Sequence, residues 1–387
     1  MHHVKHAPAI VHVDSPPGGV LTVPASGVHG WIAAAGVDAF ERAWLVGANG
    51  DTVALTLADR PDVHAALPDQ ASVGFTGSVD ARLVRSGPCT IRYERGGTVH
   101  DVTVPLEVDA RAVDAFIAAK QRKLARVRAL LRCPMCSAPF DDDEAGLACA
   151  TGHRYPAAPY AYDLLDEATR RAVGAVPTDN VSSHGYDPML LELLAQTDGP
   201  VLDAGCGLRP DYREDVVNLE IVPYITTDVV AAGEYLPFAD ASFELVISVA
   251  VLEHVRDPFA VARELQRVLR PDGRIFAAVP FLQPYHAYPD HYYNMTAAGL
   301  RNLFTGCEVE RLFVPQSGGP IFLLTWVLQA WRAALPPEVA HRFDAMRVAD
   351  LAVDPMQLLD EPFVRELPEA ANVQLAAMNV LVGRKRA

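Results

Sequence analysis

Residues 201–207 read Val-Leu-Asp-Ala-Gly-Cys-Gly. An apolar strand (Val201, Leu202) ends in a carboxylate, Asp203, and breaks into glycines at alternate positions, Gly205 and Gly207. An open α/β sheet forms its ligand crevice in this way, at the carboxyl end of its first strand. Glycine suits the turn because a Cβ there would hold a ligand away from the backbone. The segment therefore predicts a doubly wound, Rossmann-like sheet with a small-molecule site at its edge.

Further segments follow in order: Asn218-Leu-Glu220-Ile221, Leu236-Pro-Phe238-Ala-Asp240, Phe243-Glu-Leu-Val-Ile-Ser248, Val251-Leu-Glu253-His254 and Val268-Leu-Arg-Pro271-Asp-Gly273. Together with Asp203–Gly207 they resemble the class I S-adenosylmethionine-dependent methyltransferases (type 11-like) over roughly residues 185 to 387. The resemblance implies that Asp203, Ala204, Gly205 and Gly207 hold the amino-acid end of S-adenosylmethionine. Glu220 would accept hydrogen bonds from the ribose hydroxyls. Ile221, Gly233, Leu236, Val249 and His254 complete the implied donor contacts, His254 closing the pocket floor. A dinucleotide-binding dehydrogenase also places glycines after its first strand, but it wants G-x-G-x-x-G to meet a pyrophosphate. Here Gly207 is followed by Leu208, Arg209 and Pro210, so no third glycine arrives.

The sequence departs from the family at Arg209, where a glycine is usual, and at Ala232, near the usual adenine-contacting acid. Asp203 and Glu220 lie seventeen positions apart and Asp228 follows eight later. A full crossover helix with its loops needs more chain than that. The first two crossovers are therefore expected to be trimmed.

Residues 1–110 read as an all-β sandwich. Short β-branched runs such as Ala9–Val13, Val20–Val23, Ala43–Val46, Thr52–Leu57, Thr90–Tyr93 and Val99–Val104 are separated by turn residues, among them Pro16-Pro-Gly-Gly19, Asn49-Gly50 and Gly96-Gly97. Asn-Gly between apolar runs signals a hairpin, and several short strands at this spacing suggest a sandwich. Val28-His-Gly30-Trp31-Ile, Arg60-Pro-Asp-Val63 and Val73-Gly-Phe75 resemble immunoglobulin-like modules found beside bacterial glycan-assembly enzymes. The module would be structural or would bind a glycan or protein partner.

From 111 to 131 the period changes to helical, with Val113, Phe116, Ile117, Leu124, Val127 and Leu131 on one stripe. Lys120, Arg122, Lys123, Arg126, Arg128 and Arg132 occupy the other faces. Such a basic face is expected to be solvated, or to meet a phosphate-bearing partner or an acidic neighbouring domain.

Residues 132–165 carry Cys133-Pro-Met-Cys136, Cys149 and His153, spaced C-x2-C-x12-C-x3-H. Two thiolates in a knuckle and a second pair a dozen residues on suit tetrahedral Zn²⁺. The segment resembles the zinc ribbon heading the bacterial ribosomal-RNA guanine methyltransferases, and the short ribbon proteins that partner other methyltransferases. Four protein ligands leave no open position, so the expected zinc is structural. In so small a segment the metal substitutes for a core. A linker, 166–185, then leads to the methyltransferase domain at 186–387.

Composition narrows the functions. Half the residues are hydrophobic and 21% are charged, as in a soluble globular protein. The start shows no apolar leader run, and six cysteines without one favour reduced thiols or metal ligation in a cytoplasmic setting. The apolar run Ile321–Trp331 is too short to span a bilayer. It is expected to be a core or crevice-covering helix, or else a lipid-facing surface. A formal charge of −15 opposes a broad nucleic-acid surface.

Methyl transfer from a sulfonium mainly requires that donor and acceptor be held in line. An oxygen or nitrogen acceptor also calls for a base within hydrogen-bond reach. The run 280–296 holds Tyr285, His286, Asp290, His291, Tyr292 and Tyr293. His286 is the first candidate base and His291 the second, with Asp290 as orienter. Loop-holding hydrogen bonds would explain the same residues. The expected acceptor is a saccharide, a glycolipid or another small molecule. RNA remains an alternative on the ribbon and the basic helix, and so does a non-catalytic scaffold.

Overall fold

The computed structural model describes residues 9–16, 19–21, 25–36, 38–47, 50–80, 89–108, 110–143, 146–158, 160–175, 185–286 and 290–378. The expected turn residues Pro17, Gly18 and Asn49 lie outside the described residues. So do Val23, the hairpin-tip residues Glu144 and Ala145, the stretch 176–184 of the linker and 287–289 of the histidine loop. The chain divides into two units, Met1–Val249 with Arg267–Ala277, and Ala250–Gln266 with Ala278–Ala387.

The first unit begins with strands β1 (Ile10–Ser15), β2 (Val20–Leu21), β3 (Ala25–Ala35), β4 (Phe40–Val46) and β5 (Thr52–Ala58). Helix α1 (Pro61–Ala66) follows, then β6 (Gln70–Asp80), β7 (Cys89–Arg95), β8 (Thr98–Val104) and β9 (Glu107–Val108). The expected sandwich is one folded sheet of order β1-β3-β6-β5-β4-β7-β8, not two separately bonded sheets. Its hinge is β5, which pairs with β4 through Thr52–Leu55 and with β6 through Thr56–Ala58. A strand that switches partners this way forms the corner between two packed layers. The outer strands β1 and β8 approach one another. Alternate residues such as Cys89, Ile91 and Tyr93 of β7 enter one core with Val28, Ile32, Leu45 and Phe75.

Helix α2 (Ala110–Arg128) comes next, and then a three-stranded antiparallel ribbon of β10 (Phe140–Asp143), β11 (Gly146–Cys149) and β12 (Arg154–Pro156). The segment expected to close the ribbon instead begins the next sheet. There β13 (Tyr162–Asp163) pairs with β16 (Val229–Val230). The sheet also holds β14 (Val201–Ala204), β15 (Val216–Glu220), β17 (Phe243–Val249) and β18 (Leu269–Ala278), in the order β13-β16-β15-β14-β17-β18. β14 runs parallel to both β15 and β17, so the chain order reverses at β14. Short helices α3 (Glu167–Ala172) and α4 (Pro188–Ala195) precede it. α4 is N-capped by Asp187, which accepts from the Leu190 N–H at 2.8 Å. Its Leu190 and Leu194 pack with Val201, Val216, Leu245 and Ile247.

No helix lies between β14 and β15 or between β15 and β16, as the short spacings require. A parallel sheet must nevertheless be covered on both faces. Helix α2 supplies cover: Phe116 packs with Leu208 and Ile225, and Ile117 joins Tyr212 and Tyr224 in the same cluster. The chain just after α2 is pinned by Arg132 N–H to Pro237 O (2.9 Å) and by Ala239 N–H to Leu130 O (3.0 Å). The expected linker helix is thus part of the sheet domain's own core.

In the second unit, α5 (Pro258–Val268) starts after the turn at 252–256 and crosses the boundary between units. Helices α6 (Ala297–Leu303), α7 (Pro320–Ala334) and α8 (Pro337–Asp344) follow, and then the short helices α9 (Val348–Leu351), α10 (Pro362–Arg365) and α11 (Glu369–Gln374). A small core gathers Leu335, Val339, Phe343 and Phe363, and the Trp331 indole donates to Phe363 O at 2.8 Å. The run 321–331 is not a core helix. None of α7 is buried, and Ile321, Leu324 and Trp326 are exposed. Only Leu328 and Trp331, toward its end, reach the small core. Among the described residues no helix is long and apolar enough to cross a membrane.

Candidate functional site

The first unit gathers its polar residues at the carboxyl edge of the sheet. Asp203 is fully buried on β14, and Tyr186 Oη and Arg209 Nε each donate to its Oδ2 at 2.8 Å. Arg209 Nη2 donates to Oδ1 at 3.1 Å, and the guanidinium lies 4.5 Å over the Tyr186 ring. A carboxylate offers about four lone-pair sites, and most of Asp203's are taken. Asp203 is therefore not the open acid expected for a donor ammonium. The bulk that replaces the family's glycine, Arg209, folds back and satisfies it.

Gly205 (φ 76°) and Gly207 (φ 60°) take the left-handed backbone that glycine tolerates best. The N–H groups of Gly205 and Cys206 both donate to Leu219 O, at 2.8 and 3.1 Å. The Gly207 N–H donates to Glu220 Oε2 at 2.9 Å, and the Ile221 N–H to Oε1 at 2.7 Å. Burial pushes the Glu220 carboxyl above its ordinary range, although both backbone donors pull the other way. The remaining expected donor contacts of this unit line up along the same strand ends. Ala204 closes β14, Gly233 and Leu236 bracket a short turn after β16, and Val249 closes β17.

Next to this edge lies a cluster that sequence reasoning missed. Asp228 is fully buried; Lys120 Nζ sits 3.1 Å and Tyr212 Oη 2.7 Å from its Oδ1. Lys123 pairs with Oδ2, which also accepts the Asn218 N–H at 2.8 Å. Burial alone would raise the Asp228 carboxyl, but Lys123 and Lys120 hold it below the usual range. Two ammonium groups share one carboxylate, and burial pulls Lys120 down to about 8. On the exposed side Arg122 meets Glu214 at 2.8 Å. Both expectations for the basic helix have a share: Lys120 and Lys123 meet an acidic neighbour, while Arg122 and Arg126 stay largely exposed. Lys120 and Lys123, assigned from sequence to the other faces, share the buried side of the helix with Phe116 and Val127.

The ribbon brings its four expected ligands together. Donor atoms of Cys133, Cys136, Cys149 and His153 all lie within 4.8 Å of one another. The Cys136 and Cys149 sulfurs are 3.7 Å apart, and His153 Nδ1 is 3.5 Å from Cys133 Sγ and from Cys149 Sγ. Tetrahedral Zn–S bonds of about 2.3 Å place sulfurs ~3.8 Å apart, so the donor set fits that ion. Thr151 was not foreseen: its hydroxyl lies 2.9 Å from Cys136 Sγ and 3.0 Å from Cys149 Sγ. That hydrogen bond draws the Cys149 thiol down to about 6.

The second unit brings together the histidines expected to act in catalysis. The rings of His286 and His291 are 4.3 Å apart, and His254 is 5.0 Å from His286. Asp290 does not orient a histidine ring through its carboxylate, which accepts from Tyr285 Oη and from the His291 backbone N–H, each at 3.0 Å. Its backbone carbonyl instead receives His254 Nδ1 at 2.6 Å. Burial lowers His254, and burial with the neighbouring rings lowers His291. Glu253, which the sequence reading passed over, joins this group, fully buried with its carboxyl raised to about 7 by burial.

Residues 202–277 match the family model described as a methyltransferase domain. The chain carries a methyltransferase domain. The match spans β14 to β18 and contains Asp203, Glu220 and both glycines of the turn. An uncharacterized methyltransferase of Mycobacterium leprae (strain Br4923) is 34% identical over 105 residues, covering 24% of this chain and 39% of that one. One from Mycobacteroides abscessus is 32% identical over 126 residues, covering 30% and 46%. One from Mycobacterium sp. (strain KMS) is 49% identical over 70 residues, covering 17% and 26%. The chain thus spans between about a quarter and a half of these relatives' lengths.

Proposed function

We propose that the protein transfers a methyl group from S-adenosylmethionine to an oxygen or nitrogen of a saccharide, a glycolipid or another small acceptor. The observation that carries this reading is the pair of left-handed turns at Gly205 and Gly207 beside Glu220, at the carboxyl ends of adjacent parallel strands. Both Glu220 oxygens are fixed by backbone donors and keep lone pairs for two ribose hydroxyls. Asp203 holds Arg209 in place, and the guanidinium is the natural counter-charge for the donor's carboxylate.

Several features favour a small or lipid-linked acceptor over RNA. Lys120, Lys123 and Arg122 are engaged by Asp228 and Glu214 and are not free for phosphates. The exposed apolar residues of α7 suit a lipid chain. Zn²⁺ held by Cys133, Cys136, Cys149 and His153 would serve as a structural ion, in keeping with its closed donor set. The N-terminal folded sheet would bind a glycan or a protein partner, or act as a purely structural module.

Calorimetry with S-adenosylmethionine and S-adenosylhomocysteine tests the donor half. Binding to wild type, lost in Glu220→Ala, is the expected result. No heat with either ligand overturns the reading and favours a non-catalytic scaffold, whose pocket is filled by the Asp203–Arg209 pair. Mass spectrometry after incubation of glycan, lipid and RNA fractions with labelled donor then identifies the acceptor.

A further inference from the structure

Within the second unit, Glu253, His254 and His286 present one carboxylate and two imidazoles whose ligand atoms all lie within 4.8 Å of one another. His254 Nδ1 lies 2.6 Å from Asp290 O and His286 Nδ1 lies 3.0 Å from Pro284 O. A carbonyl only accepts, so each Nδ1 must carry the ring proton and each Nε2 keeps its lone pair. Backbone carbonyls that fix the tautomer in this way are the usual outer shell of metal-binding histidines.

Glu253 supplies an independent observation. Its side chain is fully buried, and among the described residues neither carboxylate oxygen has a hydrogen-bond partner. Its Oε1 lies 3.9 Å from His254 Nε2, so a movement of about half an ångström brings the two atoms to the ~3.4 Å of neighbouring ligands on one tetrahedral ion at about 2.1 Å. Adjacent side chains of a strand point to opposite faces, whereas the turn at 252–256 aims both Glu253 and His254 inward. The backbone N–H groups of Tyr292 and Tyr293 hold the turn through Glu253 O, at 2.7 and 3.3 Å. A single general base would account for one imidazole. It leaves the second, and the unpartnered buried carboxylate, without a reason.

We propose that Glu253, His254 and His286 bind a divalent first-row transition metal, distinct from the ion of the ribbon. Two imidazoles and a carboxylate suit Zn²⁺, Co²⁺ or Fe²⁺ better than Mg²⁺ or Ca²⁺. Three protein ligands leave a coordination position open, as catalytic sites do and structural ones do not. The open position takes an oxygen ligand, either water or a hydroxyl. This inference does not depend on donor binding.

The test counts metal on the full chain equilibrated with Zn²⁺ and desalted, by inductively coupled plasma mass spectrometry. Glu253→Gln and His286→Ala are each expected to hold one equivalent less than wild type. A Cys133→Ser/Cys149→Ser variant should keep the equivalent that they lose. With Co²⁺ that retained site should show ligand-field bands without thiolate charge-transfer absorption. Equal metal content in wild type and Glu253→Gln overturns the proposal. So does a wild-type chain whose bound metal is all removed by the cysteine substitutions. Glu253→Gln is nearly isosteric and leaves the backbone bonds to Glu253 O intact. The cysteine variant decides the question should the histidine variant not fold.

Discussion

Lys120 Nζ lies 3.1 Å from Asp228 Oδ1, and neither side chain is more than 1% exposed. They are 108 positions apart in sequence. Together with Lys123 this contact fastens the helix preceding the ribbon to the methyltransferase domain's sheet. Removing one member of a buried charge group strands the others, which costs about 3–5 kcal/mol. Asp228→Asn should lower unfolding stability by roughly that amount, read by denaturant titration. A loss under ~0.5 kcal/mol, typical of surface sites, would show that the cluster is not what holds the helix.

The same cluster sets a pH dependence. Lys120 is lowered in the folded chain to about 8, from 10.5 when unfolded. Between those values the unfolded state binds more protons than the native one, so stability rises with pH across that window. The rise should be present in wild type and smaller in Lys120→Met, in which Lys123, also lowered by burial, still titrates. Chemical denaturation at intervals from pH 7.5 to about 10.5 checks it through the difference between the two curves. Identical slopes would place the titration elsewhere.

Asp203 and Arg209 should behave as one unit. Asp203→Asn leaves a buried guanidinium without its counter-charge, and Arg209→Met leaves a buried carboxylate. Each is expected to depress the melting temperature, while the double variant recovers much of the loss because no buried charge is left without its counter-charge. Donor affinity should not recover in the double variant. Strictly additive losses would show that the two side chains do not interact.

Thr151 is expected to tune metal retention in the ribbon. Its hydroxyl favours the Cys149 thiolate, and ligands must be deprotonated to hold metal. A hydrogen bond to a charged group contributes ~1.5 kcal/mol, about one pKa unit. Thr151→Val should therefore raise the pH of half-release of zinc by up to about one unit, followed with a chromogenic chelator. An unchanged midpoint would remove the hydroxyl from that role.

Much of the sheet was legible because its signals are local. The Asp203–Gly207 turn, the short spacings to Glu220 and Asp228 and the cysteine spacing each constrain geometry within a few dozen residues. The two longest N-terminal strands, β3 and β6, were harder to see. They are rich in alanine, serine and glycine, yet pair along their whole length from Ala25↔Asp80 to Ala35↔Gln70. The burial of Lys120 and Lys123 was invisible because an ammonium group enters a core only when a partner waits there, here one contributed from far along the chain. Glu253 sat inside an apolar phrase beside His254 and carried no role of its own in the sequence. What singles it out is the loop carrying His286, which a one-dimensional pattern does not bring near. Arg209 read as a departure from the family, and only its folded-back side chain shows what replaced the missing glycine.

Because α2 roofs the face that shortened crossovers leave bare, heredity cannot treat the two halves of this chain as interchangeable cassettes. A recombination event that delivered residues 185–378 without α2 would expose Leu208 and Ile225 to water and leave Asp228 as a naked anion. Any descendant that kept the abbreviated crossovers would have to inherit that helix as well, or evolve a substitute bearing two cations at the same pitch.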